Sequence, residues 1–216
     1  MDRLSSWLYP PYARCYGCGH PRLDDQGDHL CADCRAKLHS LRRTGAPFQV
    51  EGIEKIYAPY SYEGVTEALV HRLKYDCVRD VAVWLGRDMA GSLDGAGFDA
   101  IIPVPLHKER LLERGFNQAL LLGQEITRHR GIPVLEALRR TRNTGQQAKL
   151  NKVRRMENML EAFEACQKIE GMRVLLVDDV CTTGATAHAC AQALFRAGVG
   201  SVRLCVAAVT EAGHKG

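Results

Sequence analysis

Residues 174–186 have the sequence Val174-Leu-Leu-Val-Asp178-Asp179-Val-Cys-Thr182-Thr183-Gly184-Ala185-Thr186. The apolar run at the start is typical of a buried strand, because strands of a parallel sheet are covered on both faces. Two adjacent carboxylates, a turn with hydroxyl groups and a glycine then lead towards a helix. Ligands of α/β proteins bind at the carboxyl ends of such strands, so we expect a binding site here.

The sequence on both sides of this stretch alternates between strand-like and helix-like segments. Residues 99–105 form an apolar segment that enters a proline-rich turn, and residues 202–209 form another apolar segment. Residues 117–129 and 184–197 have apolar side chains at helical spacing. This alternation predicts an α/β fold with a parallel sheet flanked by helices.

The composition is that of a globular protein with one large core and room for a small extra module. The chain has 216 residues, of which 46% are hydrophobic and 25% are charged. We expect a small module at residues 1–48 and the α/β domain at residues 49–216, with a boundary near residues 44–47. No apolar run approaches the ~20 residues of a membrane span, and residues 1–14 lack an export signal. We therefore expect a cytoplasmic protein without membrane insertion.

Four cysteines near the start have the spacing of a metal site. Cys15-x-x-Cys18 and Cys31-x-x-Cys34 are separated by twelve residues. Two such pairs supply four thiolates for a tetrahedral ion and leave no open position, which predicts structural Zn²⁺. The alternatives are two disulfides, free thiols, a redox site or an iron–sulfur cluster, and a reducing compartment disfavours the disulfides. The other cysteines have apolar neighbours and are predicted to be core residues: Cys77, Cys166, Cys181, Cys190 and Cys205.

The turn after the strand has the features of a phosphate site. Backbone N–H groups at a helix start bind anions, Gly184 permits close approach, and Thr183 and Thr186 add hydroxyl donors. The two carboxylates offer acceptors for a diol, directly or through Mg²⁺-bound waters. A phosphorylated sugar satisfies all of these groups.

The charge distribution also indicates an anionic ligand. Residues 100–160 contain twelve Lys or Arg and five Asp or Glu, a net charge of +7 in a chain whose formal net charge is +4. A phosphate-rich small molecule or a nucleic acid would suit such a segment, whereas a solvated basic loop is the simpler interpretation.

These motifs resemble a known family. Asp178-Asp179 followed by Thr182-Thr183-Gly184-Ala185-Thr186 resembles the phosphoribosyl pyrophosphate (PRPP) loop of type I phosphoribosyltransferases. With the cysteine module, the chain resembles the ComF family of competence and DNA-utilisation proteins. Other segments carry the same resemblance: Pro103-Val-Pro-Leu-His107, Arg110, Arg114-Gly-Phe-Asn-Gln118, Arg142, Gln147, Leu150, Arg154 and Asn158.

The resemblance implies a role for each matching position. Asp178 and Asp179 would be the catalytic pair that binds the ribose hydroxyls, with Mg²⁺ accompanying PRPP. The 5′-phosphate would be bound by Thr182, Thr183, Gly184, Ala185 and Thr186. The pyrophosphate would be bound by Val104, Pro105, His107, Arg110 and Arg114. A flexible loop over the ligand would include Arg142, Gln147, Lys149 and Arg154.

Several interpretations stay open at this level. His107 either contacts ligand or caps a helix, and Lys74 either reaches the site or lies on the surface. Thr182 stands where purine transferases often carry an acidic residue, so the acceptor is open.

The resemblance implies a PRPP-binding and Mg²⁺-binding phosphoribosyltransferase of the ComF type, with a role in natural competence, DNA uptake or the use of imported DNA. An adaptor for single-stranded DNA or a competence helicase, with a non-catalytic PRPP pocket, is the alternative. A regulator that senses a nucleotide precursor is a third possibility, although no helix-turn-helix is apparent.

Overall fold

The structure is a computed structural model that describes residues 14–21, 29–76, 79–95, 97–141 and 161–211. The residues proposed for the flexible loop, and Cys77, lie outside these ranges. The regular elements in chain order are α1 (Ala32–Ser40), β1 (Ile56–Tyr57), β2 (Tyr60–Ser61), α2 (Gly64–Tyr75), α3 (Arg79–Ser92), β3 (Ala100–Pro103), α4 (Lys108–Arg114), α5 (Gln118–Arg130), β4 (Leu138–Arg140), β5 (Phe163–Ala165), β6 (Arg173–Cys181), α6 (Ala185–Arg196) and β7 (Ser201–Val209).

The main sheet is parallel, as the alternating pattern predicts. Its strand order is β1-β7-β6-β3, and β2 also pairs with β7 beyond the end of β1. In the central register, Pro103 of β3 pairs with Val177 of β6, and Val177 also pairs with Cys205 of β7. The carboxyl ends of β3 and β6 therefore lie side by side. Strands β4 and β5 form a separate antiparallel pair.

Both faces of the sheet are covered, which explains why residues 174–177 of β6 are all apolar. Leu175 and Val177 pack into a core with α3, α5 and the cysteine module. Val174 and Leu176 point to the other face and pack with α6 and the β4–β5 pair. All four side chains are buried, so each of residues 174–177 contributes to one core or the other.

Two helix starts shape the functional edge of the sheet. The side-chain Oδ1 of Asn117 accepts a hydrogen bond of 3.0 Å from the Ala119 N–H and begins α5. Gly184 begins α6 with a φ of +76°, a left-handed conformation that favours glycine. A Cβ atom at this position would also overlap the buried side chain of Val50. This turn therefore requires glycine for two separate reasons.

The cysteine module shares its core with the α/β domain. Cys15, Tyr16 and Cys34 pack in one cluster with Val65 and other residues of α2. At Gly17, a Cβ atom would lie 2.8 Å from the Cys34 Sγ and 3.2 Å from the Val65 Cγ1, so the module and α2 are in close contact. In the described part of the chain, no helix has both the length and the apolar character needed to cross a membrane.

Candidate phosphoribosyl site

A cleft of about 370 Å³ opens at the carboxyl ends of β3 and β6. The Val104 N–H donates a 2.9 Å hydrogen bond to the Val177 carbonyl, which joins the turn after β3 to β6. The lining residues are Tyr62, Lys74, Val104, Pro105, Leu106, Arg110, Arg114, Asn117, Gln118, Ala119, Arg140, Asp178, Asp179, Val180, Thr182 and Thr186. Eight residues selected from the sequence are among them: Val104, Pro105, Arg110, Arg114, Asp178, Asp179, Thr182 and Thr186. An adjoining hollow of about 40 Å³ is also lined by Thr183, Gly184 and Ala185.

The carboxylate pair lies at the centre of this cleft. The Asp179 N–H donates a 2.8 Å hydrogen bond to Asp178 Oδ1, and Lys74 Nζ lies 2.9 Å from Asp179 Oδ1. Burial, and then the charge of Asp179, raise the pKa of Asp178 to about 7, although Lys74 acts in the opposite direction. Among the described residues, one oxygen of each carboxylate thus remains available to a ligand.

The loop between β6 and α6 exposes polar groups to the hollow beside the cleft. Thr182 and Thr183 are exposed, and Thr183 Oγ1 accepts a 3.4 Å hydrogen bond from the Ala185 N–H. The loop is also joined to β7, because Thr210 Oγ1 donates to the Thr182 carbonyl at 3.4 Å. The amino end of α6, twelve residues long, faces this hollow with its positive dipole end. The loop therefore presents hydroxyl and N–H donors at a place where an anion is stabilised.

Three arginines also line the cleft, and we call them the arginine wall: Arg110, Arg114 and Arg140. Arg114 Nη1 donates to Gln118 Oε1 at 3.2 Å, and its guanidinium lies 5.1 Å from the centre of the Tyr75 ring. Arg140 comes from β4, with its guanidinium 5.4 Å from the centre of the Phe163 ring. Burial, and then the charge of Arg110, lower the pKa of Arg140. An anionic ligand would reduce this repulsion between like charges.

Some lining residues were not identified from the sequence. The resemblance assigns the basic stretch Arg139–Arg155 to a flap over the ligand and so includes Arg140 without singling it out, whereas the sequence gives no signal for Tyr62. Gln118 ends the segment Arg114-Gly-Phe-Asn-Gln118 quoted above, but the sequence did not assign its side chain to the cleft. Its side chain is 1% exposed, and its Nε2 has no hydrogen-bond partner among the described residues. A ligand acceptor in the cleft would satisfy this amide.

His107 does not line the cleft. Its Nδ1 accepts a 3.4 Å hydrogen bond from the Glu109 N–H, so its side chain caps the short helix α4. Lys74, which the sequence left open between the site and the surface, contacts the carboxylate pair directly.

The four cysteines of the two pairs come together in a separate cluster. Their Sγ atoms all lie within 4.8 Å of one another, and none of the eight described cysteines is in a disulfide. Burial would raise the pKa of Cys15, but N–H groups of Cys31, Cys18 and Gly17 outweigh it and lower the pKa to about 6. A thiolate in such a cluster fits the donor set of a tetrahedral zinc site.

The prediction that the remaining cysteines are core residues needs one correction. Cys181, Cys190 and Cys205 are buried, whereas Cys166 is exposed. Cys166 follows the last residue of β5, and its Sγ lies 3.4 Å from the Glu136 carbonyl, at the edge of the β4–β5 pair.

Comparisons with known proteins agree with this geometry. The phosphoribosyl transferase domain model matches residues 118–215. DNA utilization protein YhgH of Escherichia coli O157:H7 is 33% identical over 199 residues, covering 88% of this chain and 81% of that protein. Competence protein ComFC of Bacillus subtilis is 29% identical over 201 residues, with the same two coverages. Competence protein F of Haemophilus influenzae is 41% identical over 110 residues, covering 49% of this chain and 48% of that protein.

A solved adenine phosphoribosyltransferase from Thermoanaerobacter pseudethanolicus has a TM-score of 0.40 and 18% identity, covering 78% of this chain and 85% of that chain. The fold assignment therefore rests on the domain model and on the parallel strand order. The identity to YhgH extends over four-fifths of that protein and includes the region of the phosphoribosyl transferase domain. The chain accordingly belongs to the ComF family of competence and DNA-utilisation proteins.

Proposed function

We propose that this protein binds PRPP in the cleft as its Mg²⁺ complex and transfers the phosphoribosyl group to an acceptor. The observation that carries the proposal is the composition of a single cleft. It combines two adjacent carboxylates, a hydroxyl-rich loop at a helix start, and four cationic side chains. PRPP has a matching set of groups, namely a ribose diol, a 5′-phosphate and a pyrophosphate.

Each part of PRPP has a counterpart on the cleft wall. The diol suits Asp178 and Asp179, which each retain one oxygen without a hydrogen bond from a described residue. The 5′-phosphate suits residues 182–186 at the start of α6. The pyrophosphate suits Arg110, Arg114 and Arg140, since one guanidinium group can donate two parallel hydrogen bonds to the oxygens of a phosphate.

Loss of pyrophosphate leaves positive charge on the ribose C1 and negative charge on the leaving group. When bound, Mg²⁺ would neutralise part of the leaving-group charge. The three arginines would stabilise the rest, because donors fixed in a partly buried site are effective against developing charge. The carboxylate pair would hold the ribose so that C1 faces the acceptor.

The cysteine cluster is proposed to bind structural Zn²⁺. Its four thiols leave no position for a substrate, so its role would be to stabilise the module and its contact with α2. Four-cysteine metal sites suit a reducing compartment, and we propose that the protein is cytoplasmic.

Calorimetric titration with PRPP and Mg²⁺ tests the binding proposal. Wild type should bind, and the Asp178→Asn/Asp179→Asn variant should not. Asp99→Asn is the matched control, because Asp99 pairs with Arg173 at 3.0 Å, at the opposite end of the sheet, and should bind as wild type does. The absence of binding heat in folded wild type at saturating PRPP would refute the proposal.

Turnover requires a separate measurement. Release of pyrophosphate should be followed with a panel of nucleobases and other nitrogen acceptors, because Thr182 does not indicate which base is recognised. Release that depends on one acceptor and disappears in the double variant would identify an enzyme. PRPP binding without release for any acceptor would leave a binding protein.

The biological role is proposed from the family. The names of the relatives concern competence and the utilisation of DNA, and we propose that this protein acts in the same process. The adaptor alternative also fits these names, with single-stranded DNA or a helicase as the partner. Binding of an oligonucleotide through its phosphates should weaken steeply between 50 and 200 mM salt. Such binding, if unaffected by Asp178→Asn/Asp179→Asn, would favour the adaptor.

A further inference from the structure

Lys74 places an ammonium group beside the carboxylate pair, where a divalent metal ion could otherwise bind. Its Nζ lies 2.9 Å from Asp179 Oδ1, and the two side chains are 22% and 11% exposed, so water screens this pair only partly. Lys74 also lines the cleft beside Tyr62. It is therefore an ammonium group inside the ligand cleft and in contact with one of the two central carboxylates.

The geometry of the pair limits what else can bind there. Asp178 Oδ1 already accepts the Asp179 N–H, and Asp179 Oδ1 already contacts Lys74. A divalent ion that bridged both carboxylates would lie near the ammonium and would be repelled by it. A ribose diol brings no charge and is not repelled by the ammonium, and the two remaining carboxylate oxygens can accept its two hydrogen bonds.

The backbone around Lys74 is held by the cysteine module. Arg72, two residues earlier in the last turn of α2, donates from Nε to the Tyr16 carbonyl at 2.6 Å. Its guanidinium also lies 5.9 Å from the centre of the Tyr16 ring. Tyr16 lies between Cys15 and Cys18, so the last turn of α2 is tied to the cysteine cluster. Lys74 consequently projects towards Asp179 from a fixed turn.

We propose that the Lys74 ammonium is the resident cation of the carboxylate pair and excludes a protein-bound divalent ion from Asp179. Asp178 and Asp179 then bind a ribose diol directly, rather than through an ion of their own. Any Mg²⁺ that enters the cleft is held by the phosphates of the ligand. Lys74 is thus a specificity-determining residue of this cleft.

The first test uses Mn²⁺ alone and does not require PRPP. Electron paramagnetic resonance measures Mn²⁺ bound to wild type, Lys74→Met, Lys74→Gln and Lys74→Met/Asp179→Asn. Each single variant should bind one Mn²⁺ at the pair about tenfold or more tightly than wild type does, and wild type should show no occupied site there at concentrations that saturate the variants. The additional Asp179→Asn change should remove this site.

Lys55→Met is the matched control. Lys55 Nζ lies 2.7 Å from Asp94 Oδ2, in an exposed pair outside the cleft, and this variant should gain no Mn²⁺ site. Thermal unfolding checks that each variant is folded. Folded Lys74 variants that bind Mn²⁺ no better than wild type would overturn the proposal. The single variant Asp179→Asn is measured as well, because a wild-type Mn²⁺ site that is lost in it would overturn the proposal even if both Lys74 variants failed to fold.

The second test rests on the proposed function and measures PRPP affinity with Mg²⁺ and with EDTA. Removal of Mg²⁺ should lower the PRPP affinity of wild type by about tenfold or less. The same removal should lower the PRPP affinity of Lys74→Gln by a factor about ten times larger. An equal loss in both proteins would contradict the proposal. If wild type binds no PRPP under either condition, the proposed function is wrong, and the Mn²⁺ measurement still decides the role of Lys74.

Discussion

Gly184 forms the turn between β6 and α6, and its replacement by alanine should destabilise the protein through two separate effects. At a φ of +76°, an L-residue costs about 1–2 kcal/mol relative to glycine. The added Cβ also overlaps the side chain of Val50, which is 6% exposed and cannot move into solvent. Overpacking of this kind costs about 1–3 kcal/mol. The free energy of unfolding should therefore fall by about 2–5 kcal/mol in Gly184→Ala.

Gly131→Ala separates the two effects. Gly131 ends α5 with a similar φ of +71°, but no atom lies within 4 Å of the position its Cβ would take. This control should lose only the conformational part, about 1–2 kcal/mol. At roughly 3 °C per kcal/mol for a chain of this size, Tm should fall by about 6–15 °C in Gly184→Ala and by about 3–6 °C in Gly131→Ala.

Urea unfolding followed by circular dichroism measures both variants, and a double-mutant cycle with Val50→Ala identifies the clash. Smaller side chains at position 50 should relieve the overlap, so the combined loss should be smaller than the sum of the two single losses by about 1 kcal/mol or more. Equal destabilisation in Gly184→Ala and Gly131→Ala, or strict additivity with Val50→Ala, would refute this account of the turn.

Three further predictions concern the carboxylate, the arginine wall and the cysteine cluster. The pKa of Asp178 is raised from 3.8 to about 7, so the folded state binds more protons than the unfolded state between these values. The contribution of Asp178 to the free energy of unfolding should therefore fall as the pH rises from about 4 to about 7, and Asp178→Asn should remove this contribution in denaturant titrations. Arg140→Ala should weaken PRPP binding about ten- to hundredfold in calorimetry, because a charged hydrogen bond is lost. Arg139 is the neighbouring exposed residue and pairs with Glu164, so Arg139→Ala should change PRPP affinity by less than about twofold. Cys15→Ser should reduce bound zinc and lower Tm, whereas Cys166→Ser, outside the cluster, should do neither; equal effects would rule out the four-cysteine site.

The parts of the site that could be predicted are those whose chemistry lies within one short segment. The apolar run of β6, the two aspartates and the loop to α6 are consecutive, so periodicity and residue type were sufficient. The spacing of the four cysteines similarly predicted their assembly, because each pair occupies one tight turn. In both cases the local sequence determines which groups lie together.

The parts that could not be predicted depend on tertiary contacts between distant segments. Arg140 reaches the cleft because β4 pairs with β5 and packs beside α6, which no local pattern of residues 138–140 indicates. Tyr62 lies at the cleft because the chain after β2 follows the end of β7. His107 became a helix cap because the chain after the proline-rich turn forms α4, which uses the imidazole as an acceptor.

The contact of α2 with both the cysteine cluster and the cleft has a thermodynamic consequence. Arg72 fixes one side of its last turn to the Tyr16 carbonyl, and Lys74 fixes the other to Asp179. Occupancy of the four thiols and occupancy of the cleft should then be linked, so that each changes the affinity of the other by the same factor. Under the proposed function, loss of zinc from the cluster should therefore lower the affinity of the cleft for PRPP.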